Sequence, residues 1–504
     1  MTELLAAIDQ GTTGSRCFLF DSAGRVIASA YREHAQIYPS PGRVEHDPLE
    51  IRDNVFRVVS DAVASAPAGS RVTAVGVTNQ RETVVAWDVE SGTPAYNAIV
   101  WQDTRTDEDC RALIRSGIED RVRARTGLPI RTYFSATKIR WLLANVPEVA
   151  RLAASGRLRL GTIDSWVIWN LTGGTAGGAH VTDPTNASRT LLCALDTLEW
   201  DGELLDRFGV PHGGRALPRI APSIPPEPYG WTSADGPFRA RLPVCGDLGD
   251  QQAALFGQGC VSAGDAKTTY GTGAFLLQHS GSVPPVSRHG LLSTAAAASA
   301  GERAYALEGS VADAGSAVQW LRDNVRFVGS AAESEAVAAS VPDSGGVVFV
   351  PAFSGLYAPH WDMTARGSIL GLTRFTTAAH LVRATLEAIA FQCADVIEAM
   401  AADSGCVPAS LRVDGGAAAN DLLMQLQADV LGIPVLRPAM LETTALGAAL
   451  AAGIASGAFG FDDAAKRPAG FRTFEPSWDA DRRGQALDLW RKAVSRARGW
   501  AAGG

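Results

Sequence analysis

Two short turns of glycine and threonine, far apart in the chain, constrain this sequence more than anything else in it. In residues 5–21 an apolar run ends on Asp9 and Gln10, the turn Gly11-Thr12-Thr13-Gly14 follows, and a second apolar run begins after Arg16. In residues 266–277 the turn Tyr270-Gly271-Thr272-Gly273 again separates two apolar runs. Each reads as strand, tight loop, strand. In the first, Gly11 and Gly14 let backbone N–H groups close on an anion, Thr12, Thr13 and Ser15 add hydroxyls, and Arg16 adds a fixed positive charge. Asp9 faces the same spot, and a carboxylate beside phosphate calls for Mg²⁺ held between them through water. An ordinary hairpin with a polar turn is an equal reading of that stretch taken alone. The repetition, one such loop in each half, points to two lobes of like topology facing across a cleft.

A chain of 504 residues is too long for one core, and two or three domains are expected. The net charge of −8, with basic residues scattered, argues against a nucleic-acid surface. Lysines are scarce (Lys138, Lys267, Lys466, Lys492), and no Gly-x-x-x-x-Gly-Lys-Ser/Thr string occurs, so the common P-loop route to a nucleotide is closed. The seven cysteines are widely spaced and lack C-x-x-C pairs, which predicts reduced, mostly buried thiols, with no zinc site or disulfide framework. The N-terminus, with Glu3 and Asp9, lacks a secretion signal. Residues 445–461 are uncharged, but they are rich in Ala and Gly and read as a close-packed helix and turn, not as a membrane span.

Other polar residues gather where apolar runs end, the places at which α/β sheets hold ligands. Residues 72–78 lead into Asn79-Gln80-Arg81-Glu82, residues 96–103 end on Trp101 and Asp103, and residues 244–257 carry Asp247 and Asp250 into a helix. Tyr133 stands at the mouth of an amphipathic helix, and Gly415-Gly416 opens another, where free N–H groups suit an anion or a ring. Asp47-Pro48 caps a helix running to about residue 64. Plainer readings stand beside these. Trp101 and Phe275 could be core aromatics, Arg81 and Glu82 a surface ion pair, Asp250 a helix cap, Tyr133 a loop anchor and Asn420 an ordinary helix residue.

In order along the chain, Asp9-Gln10-Gly11-Thr12-Thr13, Thr78-Asn79-Gln80-Arg81-Glu82-Thr83, Asn97-Ala98-Ile99-Val100-Trp101-Gln102, Gly249-Asp250-Gln251-Gln252-Ala253-Ala254-Leu255-Phe256-Gly257, Tyr270-Gly271-Thr272-Gly273 and Val413-Asp414-Gly415-Gly416 resemble the FGGY carbohydrate kinases. Longer signatures lie at 133–145 and 367–387, and the likeness runs from about Leu4 to Gly453. It implies an α/β, two-lobed ATPase fold of the actin, sugar kinase and Hsp70 type, made of duplicated ribonuclease-H-like domains with a central cleft. The N-terminal lobe (1–257) would hold the alcohol pocket and the first phosphate loop. The C-terminal lobe (258–504) would hold the second phosphate loop, the adenosine site and the last helices.

The resemblance further implies a cytoplasmic homodimer or homotetramer that uses ATP and Mg²⁺ to phosphorylate glycerol. A sister activity on erythritol or dihydroxyacetone, or a non-catalytic nucleotide sensor, are the alternatives. Its carried-over roles put Mg²⁺ at Asp9 and Asp250. The phosphates would meet Thr12, Thr13, Gly14 and Arg16, and the rest of ATP would meet Thr272, Gly315, Gln319, Gly416 and Asn420. Arg81, Glu82, Trp101, Tyr133, Asp250, Gln251 and Phe275 would form the alcohol pocket. A ligand of about six heavy atoms gains at most ~9 kcal/mol, so every hydroxyl must be used. Asp250 is the expected general base, taking the proton of the attacking primary hydroxyl. Relatives inhibited by fructose 1,6-bisphosphate carry a glycine-rich basic loop where this chain reads Ala234-Asp235-Gly236-Pro237-Phe238-Arg239-Ala240-Arg241; Arg241 survives but the glycines are replaced, which puts such control in doubt.

Overall fold

Strand β1 (Thr2–Gln10) is apolar at every position from Leu4 to Ile8 because both of its faces are covered. Leu4, Ala6 and Ile8 enter one core and Leu5 and Ala7 another, as the two-residue period of a strand requires. The computed structural model describes residues 2–466 and 470–501. β1 turns into β2 (Gly14–Phe20) and β3 (Val26–Glu33) as an antiparallel meander. Helix α1 (Pro48–Ser65) follows, with the Asp47 carboxylate accepting the Leu49 N–H and Pro48 in its first turn. β4 (Ser70–Asn79) then joins β1 in parallel, and β5 (Pro243–Gly249) joins β4 in parallel. With the short edge strand Gly230–Trp231 the sheet has six strands, and its inner order is β3-β2-β1-β4-β5.

The second half repeats the plan. Helix α2 (Asp250–Gly257) leads to β6 (Ala266–Tyr270), β7 (Ala274–Gly281) and β8 (Tyr305–Val311), again an antiparallel meander. After helices α3 (Gly315–Asp323) and α4 (Ala378–Ser404), β9 (Leu411–Asp414) joins β6 in parallel. Helix α5 (Asp421–Leu431) and β10 (Val435–Pro438), parallel to β9, complete it. In this seven-stranded sheet the inner order is β8-β7-β6-β9-β10, the same permutation as in the first. The two turns read from the sequence are thus the first hairpins of two copies of one topology.

Helices α6 (Thr443–Ala455) and α7 (Ala480–Ala497) follow, and α6 crosses back to the first half. On one face, the first sheet packs against α1 and the helix Ile163–Leu171. On the other, Leu5, Ala7, Phe18, Phe20, Ala74 and Leu248 pack against Ala445, Leu446 and Ala448 to Ala452 of α6. α2 does the converse: its Leu255 packs with Leu277 and Ala306 of the second sheet, while Ala253 and Phe256 lie against α6. Small residues allow this crossing. A Cβ on Gly447 would stand 2.0 Å from the Ala253 carbonyl oxygen, and one on Gly257 would stand 1.9 Å from that of Thr443.

Candidate active site

Asp9, Arg81 and Asp250 come from three neighbouring strand ends. Register aligns Asp9 with Thr78, Gln10 with Asn79 and Asn79 with Gly249, so the chain leaves β1, β4 and β5 at one edge of the sheet. The first loop is closed by the Gly11 N–H donating to the Gly14 carbonyl at 3.0 Å, and the second by Gly271 donating to Gly273 at 2.8 Å. Thr12 and Thr13 stand at the first turn, Thr13 exposed. Ser15 does not serve there: it is fully buried, and its hydroxyl donates to Gln10 Oε1 at 2.5 Å, because the strand alternation turns it into the sheet. The half-exposed Arg16 guanidinium lies 3.9 Å from Asp9 and 3.5 Å from Glu442, which immediately precedes α6.

Around the second loop, the start of α3 and the Gly415-Gly416 turn converge. The Gly315 N–H donates to the Gly271 carbonyl at 3.1 Å, and Ala314 and Ser316 donate to that of Thr272 at 3.0 and 2.9 Å. Gly415, at φ 86°, packs so closely that a Cβ would lie 2.4 Å from the Tyr270 carbonyl oxygen. Thr272, Gly416 and Gln319 are exposed, and Gln319 lies one turn along α3 from Gly315. Asn420 caps α5: its Oδ1 accepts the Leu423 N–H at 2.8 Å, and its amide reaches Ser334 Oγ at 3.4 Å.

Between the loops lies a buried ionic cluster. Arg81 and Glu82 are 3% and 1% exposed, so they are not a surface pair. Arg81 donates through Nη1 and Nη2 to Glu308 at 2.6 and 2.9 Å, through Nη1 to Gln252 at 3.2 Å, and its Nε lies 3.1 Å from Asp250 Oδ1. Burial works against the Arg81 charge, but Glu308, Glu82 and Asp250 outweigh it and hold its pKa well above the ordinary value. Glu82, in the left-handed region at φ 60°, accepts Arg189 Nε at 2.7 Å on Oε1. Burial raises the Glu82 pKa in spite of Arg189 and Arg81.

Among the described residues, Glu82 Oε2 and the Tyr133 hydroxyl take no hydrogen bond, and Arg81 Nη2 keeps one N–H unspent. Trp101 donates its indole N–H to Thr12 Oγ1 at 2.9 Å and meets the Tyr133 ring edge-on at 5.6 Å, joining these two aromatics to the first loop. Lys138 fixes the Tyr133 backbone by donating to its carbonyl at 2.6 Å. Pairing of Thr269 with Phe275 and of Phe275 with Ser310 puts Phe275, Lys267 and Glu308 on one face of the second sheet, toward α2. Phe275 is half-buried there.

Lys267 is buried and donates to Gln251 Oε1 at 2.6 Å, which turns the amide nitrogen of Gln251 away from it. Burial lowers the Lys267 pKa to about 8 against the pull of Asp414, Asp250 and Glu308. Asp250 opens α2 as its first residue, with Gly249 in the cap position, and its Oδ1 accepts the Gln251 N–H at 2.7 Å. Asp9 is 8% exposed, and its pKa is raised to about 6: burial raises it, Arg16 pulls it back, and Asp250 and Glu442 push it up again. Asp9 feels the charge of Asp250, and its Arg16 partner stands 3.9 Å away. That suits a divalent cation which keeps several waters and takes only one or two carboxylates.

Sequence reasoning missed Glu308, Arg189, Gln252 and Lys267 as members of this site. Glu308 and Lys267 had a signal, a lone charge inside an apolar strand, whereas Arg189 had none. Asp103, which had no role, pairs with Arg105 at 2.7 Å and accepts the Val44 N–H at 2.6 Å, fixing the loop behind Trp101. Arg241 lies over the exposed Trp231 ring at 5.5 Å.

Comparison with known families shows where the chain belongs. Residues 4–257 match the N-terminal domain of the FGGY family of carbohydrate kinases, and residues 266–456 match the C-terminal domain. The chain belongs to the FGGY carbohydrate kinases. Full-length relatives in this family include a glycerol kinase of Saccharopolyspora erythraea, 53% identical over 503 residues, covering 99% of this chain and 100% of its own. A glycerol kinase of Beijerinckia indica is 51% identical over 504 residues, 99% of each chain. Among solved FGGY-type structures, Plasmodium falciparum glycerol kinase with ADP superposes with a TM-score of 0.93 at 36% identity over 98% of both chains. A xylulose kinase of Lactobacillus acidophilus, at TM-score 0.86, 22% identity and 99% of both chains, shares the fold.

Proposed function

We propose that this FGGY kinase transfers the γ-phosphoryl group of ATP to a primary hydroxyl of glycerol, yielding glycerol 3-phosphate. One observation carries the reading. The free valences of the buried cluster, an Arg81 N–H, Glu82 Oε2 and the open edge of Asp250, offer one donor and two acceptors to a small triol. Trp101, Tyr133 and Phe275 would cover its carbon edge. The full-length likeness to glycerol kinases supports the same substrate.

In this reading the attacking hydroxyl gives its proton to Asp250 as its oxygen approaches the γ-phosphorus in line. Arg81, with Nε 3.1 Å from Oδ1, aims that carboxylate. Thr12, Thr13, Gly14 and Arg16 grip the terminal phosphates, and Thr272, Gly315, Gln319, Gly416 and Asn420 take the rest of the nucleotide. Asp9 and Asp250 would hold Mg²⁺, which when bound neutralises charge on the phosphate oxygens. Lobe closure would exclude water as a rival acceptor. The reading divides the chain into an alcohol-binding lobe, 1–257, and an adenosine-binding lobe, 258–504.

Seven free thiols, six of them buried, suit a reducing cytoplasm, and no helix among the described residues is long and apolar enough to cross a membrane. Assembly as a homodimer or homotetramer rests on the family, and light scattering measures it. A substrate panel under coupled ADP detection tests the function: glycerol is turned over best. A higher kcat/KM on erythritol or dihydroxyacetone, or no glycerol-dependent ADP release, refutes it.

A further inference from the structure

Glu308 is an acid in the middle of the strand Tyr305–Val311, 1% exposed, where its apolar neighbours explain nothing about it. Both of its oxygens are spent on guanidiniums. Oε2 takes Arg81 Nη1 at 2.6 Å, and Oε1 takes Arg81 Nη2 at 2.9 Å and Arg189 Nη2 at 3.1 Å. Arg189 is fully buried against the rings of Tyr133 and Phe134, at 5.6 and 5.3 Å, and passes its Nε on to Glu82. Arg81, Glu82 and Arg189 all belong to the N-terminal half, and Glu308 alone comes from the other sheet. Two guanidiniums and two carboxylates sum to no net charge, and desolvation at this depth is tolerable only for the complete set. Burial alone would raise the Glu308 pKa, but Arg189 and Arg81 bring it down to about 2, so it is anionic across the working range.

We propose that Glu308 is a positioning residue for the phosphoryl acceptor: its bidentate grip sets the plane of Arg81 and, through Arg189, the carboxylate of Glu82, so the alcohol pocket takes shape only when the two sheets are seated together. The inference rests on the function proposed above and deepens it. Buried with both oxygens engaged by guanidiniums, Glu308 acts through the arginines and not by touching the substrate. With both forks of Arg81 held from one side, its Nε is left for Asp250 and one N–H for a hydroxyl. A cluster serving stability alone would need no such division of donors between a second sheet and the acceptor site.

The full-length protein tests this in steady state, with glycerol turnover by the unsubstituted enzyme measured first; if that is absent, the functional reading fails and not this inference. Glu308→Asp keeps the charge but is one methylene short of gripping both arginines. Its kcat/KM for glycerol should fall by about 10- to 100-fold, the worth of one charge-assisted hydrogen bond. The KM for ATP should stay within about twofold, since none of the four residues is among those assigned to the nucleotide. The charge-balanced pair Glu308→Gln with Arg189→Met should show the same split. Glycerol kinetics within twofold of the parent in Glu308→Asp, or ATP and glycerol KM worsening together, overturns the proposal. Loss of the fold in both variants assigns the cluster to stability and overturns it equally.

Discussion

Asp247, inside β5, and Asp250, the first residue of α2, lie three positions apart and meet opposite environments. The side chain of Asp250 is 32% exposed with Arg81 beside it, as the proposed role of a base would require. We expect Asp250→Asn to lower kcat by about 10²–10⁴, roughly 3–5 kcal/mol of barrier, with nucleotide affinity retained. Stopped-time assays with a separate ADP titration check this, and unchanged turnover removes Asp250 from the chemistry.

Asp247 is fully buried, and its carboxyl oxygens find no donor unless a proton is shared with Asp164. Burial, then Asp164 and Asp183, raise its pKa well above 3.8. A raised carboxyl contributes its stability in full below the unfolded value. As pH climbs past that value the unfolded chain releases a proton the folded chain keeps, and up to ~1.4 kcal/mol is lost per pH unit until the folded pKa is passed. Asp247→Asn removes this loss, so its urea midpoint should gain on the parent between pH 5 and pH 8; an equal difference at both values would refute the assignment. At this scale the motif residues were legible in the sequence because glycine, threonine and acids interrupt apolar runs. Arg189 was not, since its signal is a contact with a strand more than a hundred positions away.

Among elements, α6 shows where sequence reading stops. Its run of alanine and glycine announced a helix made for close approach, yet small side chains carry no information about what they approach. The partner is the underside of the first sheet together with α2. Gly447→Ala drives a methyl to 2.0 Å from a backbone carbonyl that no rotamer change can move. We expect a loss of about 1–3 kcal/mol or more by denaturant titration, in spite of the better helix propensity of alanine. A neutral or stabilising outcome would mean the two helices can slide apart freely. Asn420 makes the complementary point: a residue carried over as a nucleotide contact is also a cap, and its side-chain hydrogen bonds go to the Leu423 N–H and to Ser334.

Over the whole molecule, duplication of one topology was legible from two turns, whereas the exchange of helices between the copies was not. Because each sheet is roofed in part by a helix that follows the other, heat should unfold the protein in one calorimetric transition. Residues 1–257 expressed alone should be insoluble, with their sheet uncovered on one face. Two resolved transitions, or a monomeric folded 1–257 fragment, would contradict the mutual roofing.

That roofing also sets a timetable for synthesis. The first sheet has all its inner strands once residue 249 has left the ribosome, but its second face stays bare until α6 emerges at residue 455. At about 5–20 residues per second, the roughly 200 intervening residues leave an apolar β surface open to solvent for roughly 10–40 s. A nascent chain of this design depends on whatever shields such a surface in the interval.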